Sequence, residues 1–217
     1  MLHGGLGNSD YFGNIIPAIV PKRKVIVIDS RGQGRSTNDG RQLTYHLMAE
    51  DVQAVLTHLH ITKATILGWS DGAIIGMDFV MNHPIEVDKF FSFGGTSSTS
   101  GFLDVSQSVT FNAYLNRVHK EYLRLNPFPN QWDSIYANAN RMWTIEPNFT
   151  DEQLKSVRVK TWIVDADHEE VVARSDTDRM FGLIPNAREM ILPRVSHFAI
   201  LQDPAEFSHA LLGFLDR

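Results

Sequence analysis

Residues 64 to 80 constrain the fold of this chain more than any other stretch. The apolar run Ala64-Thr-Ile-Leu67 reads as a strand, and Ala73-Ile-Ile-Gly-Met-Asp-Phe-Val80 as a helix. Gly68-Trp69-Ser70-Asp71-Gly72 joins them. A G-x-S-x-G pentapeptide between strand and helix is the context of a nucleophile elbow. The small flanking residues allow a sharp, strained turn. The serine Oγ then stands exposed at the carboxyl edge of a sheet, with a helix N-terminus aimed at the same place. That arrangement suits a hydroxyl that attacks a carbonyl and must stabilise the resulting oxyanion.

The flanking sequence repeats the alternation of strand and helix. Lys24-Val-Ile-Val-Ile28 reads as a buried strand. Residues 44 to 60 carry Val52, Val55, Leu56 and Leu59 at helical spacing. His83-Pro84 ends the helix at 71 to 82, because the residue before proline avoids the α region. Lys89-Phe-Phe-Ser-Phe93 is a further strand. Strands separated by helices imply βαβ crossovers and a parallel sheet.

This pattern breaks after Gly94-Gly95. The polar junction 96 to 101 leads into residues 104 to 156, which carry helical signals, many aromatics and no convincing strand. We read residues 96–157 as an inserted helical cap and residues 1–95 and 158–217 as the core. Most cap aromatics are expected to pack cap against core, and one or two to line a pocket. The sheet pattern resumes at Val159 to Val164, a helix follows around 173 to 182, and a strand around Arg188 to Leu192. Asp203-Pro204 with Glu206 begins a last helix whose buried face carries Phe207, Ala210, Leu211 and Phe214.

A chain of 217 residues can bury one substantial core. The formal charge of −5 gives no basic footprint, which argues against nucleic acid as partner. The absence of cysteine rules out disulfides and thiolate metal sites, and agrees with a cytoplasmic location. No apolar run of about 18 residues suggests a membrane span.

An activated serine needs a base and a third group to orient that base. Of the nine histidines, His197 follows the last strand in Pro193-Arg-Val-Ser-His-Phe198, over the same sheet edge as Ser70. His46, His58, His60 and His209 lie in helical stretches and read as solvated, and His58-Leu-His60 has no third ligand nearby, so no metal site is expected. The acid lies among Asp165, Asp167, Glu169 and Glu170. Backbone N–H groups of Asp71 and of Gly5, or alternatively Leu6, are expected to form the oxyanion hole. Leu6 and Trp69, beside these groups, are expected to line the substrate pocket. Asp71 itself either favours a cationic substrate group or interacts with its own helix N-terminus. Asp29-Ser-Arg-Gly-Gln-Gly-Arg-Ser36 hints at a dinucleotide loop, but Thr37 replaces the third glycine and no phosphate-binding lysine follows.

His3-Gly4-Gly5, the Asp29–Ser36 motif, the elbow, the acid loop and Ser196-His197-Phe198 occur in an order that resembles the α/β-hydrolase superfamily over essentially the whole chain. The helical cap and Gly-Trp-Ser-Asp-Gly resemble its valacyclovirase-like and carboxylesterase branch. The resemblance implies an α/β fold with a mostly parallel sheet flanked by helices. It also implies a cofactor-free serine hydrolase acting on small-molecule esters, with Ser70 as nucleophile and His197 as base. Spacing in such proteins favours Glu169 over Asp167 as the acid, with Ala166 in place of the usual glycine. Other triad reactions on lactones, amides or carbon–carbon bonds, perhydrolysis, or mere ligand binding are the alternatives. In the superfamily further strands precede the His-Gly-Gly motif, whereas only Met1-Leu2 do here. The N-terminal strands are therefore expected to be missing, through truncation or a misplaced start codon.

Overall fold

A computed structural model describes residues 1–217. Its sheet contains β1 (Ala64–Trp69), β2 (Val87–Phe93), β3 (Lys160–Ala166) and β4 (Ala187–Leu192), all parallel and in that order. The helices before β2 are α1 (Ile16–Ile19), α2 (Tyr45–His58) and α3 (Asp71–Asn82). Between β2 and β3 lie α4 (Val109–Leu125), α5 (Trp132–Ile145) and α6 (Asp151–Ser156). After β3 come α7 (Arg174–Leu183), α8 (Ala199–Gln202) and α9 (Pro204–Leu215). No helix is long and apolar enough to cross a membrane.

The apolar run in β2 follows from burial on both faces. Phe91 and Phe93 meet α9, with ring centroids 5.8 and 5.1 Å from Phe207. Phe90 points the other way, against α3, where a Cβ on Gly76 would lie 2.5 Å from its ring. A side chain at 76 would therefore push α3 off the sheet. The strands end in register, Trp69 beside Phe93, Phe93 beside Val164 and Ala166 beside Leu192. The segments that follow β1, β2, β3 and β4 thus emerge along one edge.

One expected strand is not regular. Residues 24–28 are extended but form only an isolated bridge, between Ile28 and Leu2, and Leu2 also bridges Gly68. Met1 and Leu2 lie between the 24–28 segment and β1 and bond to both. The Met1 amino group donates to Ile26 O at 2.7 Å. A hollow of about 430 Å³ lies beside them, lined by Val25, Ile26, Val52, Thr65, Ile66 and Leu211 among others. It lies away from Ser70 and His197, neither of which lines it.

Candidate active site

Ser70 occupies the turn between β1 and α3 with φ 57° and ψ −124°. A non-glycine residue in such a region costs on the order of 1–3 kcal/mol and persists only where surroundings enforce it. Ser70 N–H donates to Phe93 O at 2.9 Å, and Ser70 O accepts from Ala73 N–H at 2.7 Å. The glycines of the pentapeptide are sterically required. A Cβ on Gly68 would lie 2.2 Å from Gly72 O, and one on Gly72 would lie 2.1 Å from Leu2 O.

The His197 imidazole lies between Ser70 and Glu169. Its Nε2 is 2.8 Å from Ser70 Oγ. Its Nδ1 is 2.8 Å from Glu169 Oε1 and 3.0 Å from Oε2. An ionised carboxylate can only accept, so Nδ1 carries the hydrogen and Nε2 offers its lone pair to the serine hydroxyl. Glu169 also accepts from the N–H groups of Val171 at 2.7 Å and Val172 at 3.2 Å. The His197 loop is anchored too: Trp69 Nε1 donates to His197 O at 2.9 Å, and His197 N–H donates to Glu170 at 3.1 Å.

Each side chain shifts the other's ionisation. Burial alone would push His197 down, but Glu169, with help from Glu170 and Asp165, raises it above the ordinary histidine value. Burial pushes Glu169 up, yet His197 and the two backbone N–H groups bring it below the usual carboxylate range. Both side chains are nearly inaccessible, at 2% and 3% exposure, so water screens the pair little.

The other acid-loop carboxylates are committed elsewhere. Asp167 is 38% exposed and accepts from Arg194 N–H at 2.8 Å and Val195 N–H at 3.3 Å. Asp165 is buried against Arg174 and Thr177, each 2.9 Å away. The geometry therefore brings Glu169, and not Asp167, to the imidazole.

Two loops flank Ser70. The N–H groups of Gly5, Leu6 and Asp71 donate to no protein acceptor. His3 orients the first loop: its Nε2 accepts from Ser30 N–H at 3.0 Å, which leaves Nδ1–H to donate to Gly4 O at 2.7 Å. The Asp29–Ser36 motif has a structural task. Asp29 accepts from Ser9 N–H at 2.6 Å and Arg35 N–H at 2.7 Å, and Gly34 is left-handed at φ 52°.

A cavity of about 220 Å³ opens beside Ser70. Gly5, Trp69, Asp71 and His197 form its floor, and Phe111 and Tyr114 of α4 and Trp143 of α5 are among its walls. Leu6 is not among them: held at φ 60°, it turns its side chain into the core, where it is buried. The Asp71 carboxylate lies in the first turn of α3. It accepts from Tyr45 Oη at 2.9 Å and from Trp143 Nε1 at 2.9 Å, and burial pushes it up to about 6. His58 and His209 are exposed on helices; His60 is exposed too, but in the turn after α2, at φ 54°, rather than in a helix, and His46 pairs at the surface with Asp78.

Sequence reasoning missed Tyr45 and Gly94. Gly94 has φ +62°, and a Cβ there would lie 2.9 Å from both Cε1 and Nδ1 of His197. Its place directly after an apolar strand was the available signal. Gly94→Ala should displace the imidazole and lower kcat by roughly 10²-fold, the scale of a 1 Å misplacement. Steady-state kinetics with a thermal melt to verify folding would check this.

Comparison with known proteins gives a consistent placement. The family model described as alpha/beta hydrolase fold matches residues 1–123. The RutD protein of Caulobacter vibrioides, whose name ascribes carbamate hydrolysis to it, is 24% identical over 242 residues, covering 100% of this chain and 89% of its own. Among solved structures, the meta-cleavage product hydrolase CumD of Pseudomonas fluorescens superposes with a TM-score of 0.80 at 18% identity, covering 99% of this chain and 89% of its own. The carboxylesterase CesB of Bacillus subtilis gives 0.73 at 22% identity, covering 99% and 81%. The sheet, the elbow between β1 and α3, and the family match over more than half of the sequence establish that this chain belongs to the alpha/beta hydrolase fold family of enzymes.

Proposed function

We propose that the protein is a serine hydrolase that cleaves carboxylic esters of small molecules through an acyl-enzyme, with residues 96–157 acting as a cap over the pocket. The observation that carries this reading is the hydrogen-bonded series from Ser70 Oγ through His197 to Glu169, at 2.8 Å and 2.8 Å.

In the first half-reaction His197 Nε2 takes the Ser70 hydroxyl proton as Oγ adds to the ester carbonyl. The carbonyl oxygen becomes an oxyanion, met by the free N–H groups of Gly5 and Asp71. The carbon–oxygen bond to the leaving group then breaks, and His197 returns the proton to the departing alcohol. Water repeats the sequence: His197 removes its proton, the hydroxide adds to the acyl carbon, and Ser70 leaves with the proton restored. Glu169 keeps Nδ1 protonated throughout and stabilises the imidazolium.

The pocket bears on substrate size. At about 220 Å³ it falls below the roughly 300–1,000 Å³ of sites that enclose drug-sized ligands. Acetyl to butyryl p-nitrophenyl esters should therefore exceed the decanoyl ester in kcat/KM by at least about 10-fold, since a long acyl chain that does not fit the cavity holds the carbonyl out of place against Ser70. A panel of these esters beside lactones, amides and carbamates tests the assignment. Turnover of a lactone or an amide above every ester would replace it.

The imidazole must be neutral to accept the serine proton. Because His197 is raised above its ordinary value, kcat/KM should rise through a single ionisation centred above about pH 6.5, the unperturbed histidine value. A pH profile of kcat/KM would read that midpoint directly. An acid limb centred below it would show that Glu169 does not govern the imidazole.

A further inference from the structure

Two aromatic side chains of the cap reach the two residues that flank the reacting centre. Tyr114 of α4 donates its hydroxyl to Gly5 O at 2.8 Å. Trp143 of α5 donates Nε1–H to the Asp71 carboxylate at 2.9 and 3.1 Å. Each bond comes from a different helix, and each ends on a residue whose own N–H is free of protein acceptors.

The two contacts are linked to one another. A Cβ on Gly5 would lie 2.6 Å from Asp71 Oδ2 and 2.7 Å from Trp143 Cζ2, so the loop, the carboxylate and the indole are in mutual contact. The core holds the other side of the carboxylate through Tyr45 Oη, at 2.9 Å. Tyr45 N–H in turn donates to Glu146, the residue that ends α5, at 2.9 Å. Leu43 N–H donates to Asn138 Oδ1 in the same helix, at 2.8 Å. Residues 96–157 are thus tied to the core at several points, and two of these ties, from Tyr114 and Trp143, end on Gly5 and Asp71 beside the nucleophile.

We infer that Tyr114 and Trp143 are positioning residues that hold the Gly5 and Asp71 loops in register, so that the seating of the cap sets how well the oxyanion is stabilised. This rests on the serine-hydrolase reading and extends it. A carbonyl that accepts a hydrogen bond fixes the plane of its peptide, here the one joining Gly5 to Leu6, and so restricts rotation of the Gly5 backbone whose own N–H is the proposed donor. A pinned carboxylate fixes the first residue of α3, whose N–H has no protein acceptor. Donors contribute in the transition state only when held beforehand where the negative charge will develop.

Tyr114→Phe and Trp143→Phe each remove one donor and keep a ring in place. Complete loss of an oxyanion donor lowers kcat by about 10²–10³-fold, and loosening one should lower it by roughly 10-fold, with KM within about 3-fold. The Ki of a short trifluoromethyl ketone, which mimics the tetrahedral adduct, should rise in parallel with the loss in kcat/KM. A raised KM at unchanged kcat, with Ki following KM, would overturn the inference and make both residues plain pocket wall. A second readout needs no turnover. In 15N-labelled protein, Tyr114→Phe should shift the Leu6 amide signal and Trp143→Phe the Asp71 signal. Unmoved amides would overturn the coupling. A wild-type chain that hydrolyses no ester would count against the serine-hydrolase reading, while the spectra would still decide the coupling.

Discussion

Replacing Ser70 with alanine should lower kcat on short p-nitrophenyl esters by about 10⁴–10⁶-fold, the range seen when a triad nucleophile is removed. The fold should survive. Alanine keeps a Cβ at the same strained φ of 57°, and the bonds that enforce the turn run through the backbone, from Ser70 N–H to Phe93 O and from Ala73 N–H to Ser70 O. What disappears is the one hydroxyl within reach of His197 Nε2. A thermal melt alongside the kinetics separates lost chemistry from lost structure. His197→Ala should be of similar magnitude, because a serine hydroxyl without a base is a weak nucleophile at neutral pH.

Two substitutions in the acid loop should differ by orders of magnitude although they lie two residues apart. Glu169→Gln should lower kcat by about 10⁴-fold, as an amide in place of the triad carboxylate does when it permits the wrong imidazole tautomer. Glu169 accepts from His197 Nδ1, Val171 N–H and Val172 N–H together. A side-chain NH₂ group cannot accept, so one of those donors loses its partner. Asp167→Asn should leave kcat within about 3-fold. Its carboxylate ties down Arg194 and Val195 at the surface, so the cost falls on stability, about 0.5–1.5 kcal/mol for a hydrogen bond weakened in this way. Kinetics of both variants with a urea midpoint for each would check the contrast. The reverse ranking would move the acid to Asp167.

The elbow was legible because several constraints coincide there. An apolar strand, a pentapeptide with glycines at both ends and an apolar helix leave few other conformations, and Gly68 and Gly72 do sit where any Cβ would collide with backbone. Phe90, Phe91 and Phe93 could be read as a doubly buried strand because helices cover both faces. The segment 24–28 misled for a related reason. Its β-branched run signals strand propensity, but a ladder also needs a run of paired residues, and the segment makes a single bridge, from Ile28 to Leu2. The choice among four acid-loop carboxylates was beyond periodicity, since it depends on which side chain turns toward the imidazole as the chain leaves β3. Leu6 went astray in the same manner, because its positive φ turns the side chain into the core. One or two cap aromatics were expected to line a pocket, but which ones, and the hydrogen bonds of Tyr45, Tyr114 and Trp143, were unreadable. Their hydrogen bonds span 26, 109 and 72 residues, and nothing local in the sequence records a contact of that range.

The most direct test of the account is to treat the folded protein with a fluorophosphonate and locate the adduct by mass spectrometry. One equivalent should be found on the peptide carrying Ser70, formed far more slowly in His197→Ala and absent in Ser70→Ala. A folded wild-type chain that remains unlabelled, or carries the phosphonyl group on any other residue, would contradict it.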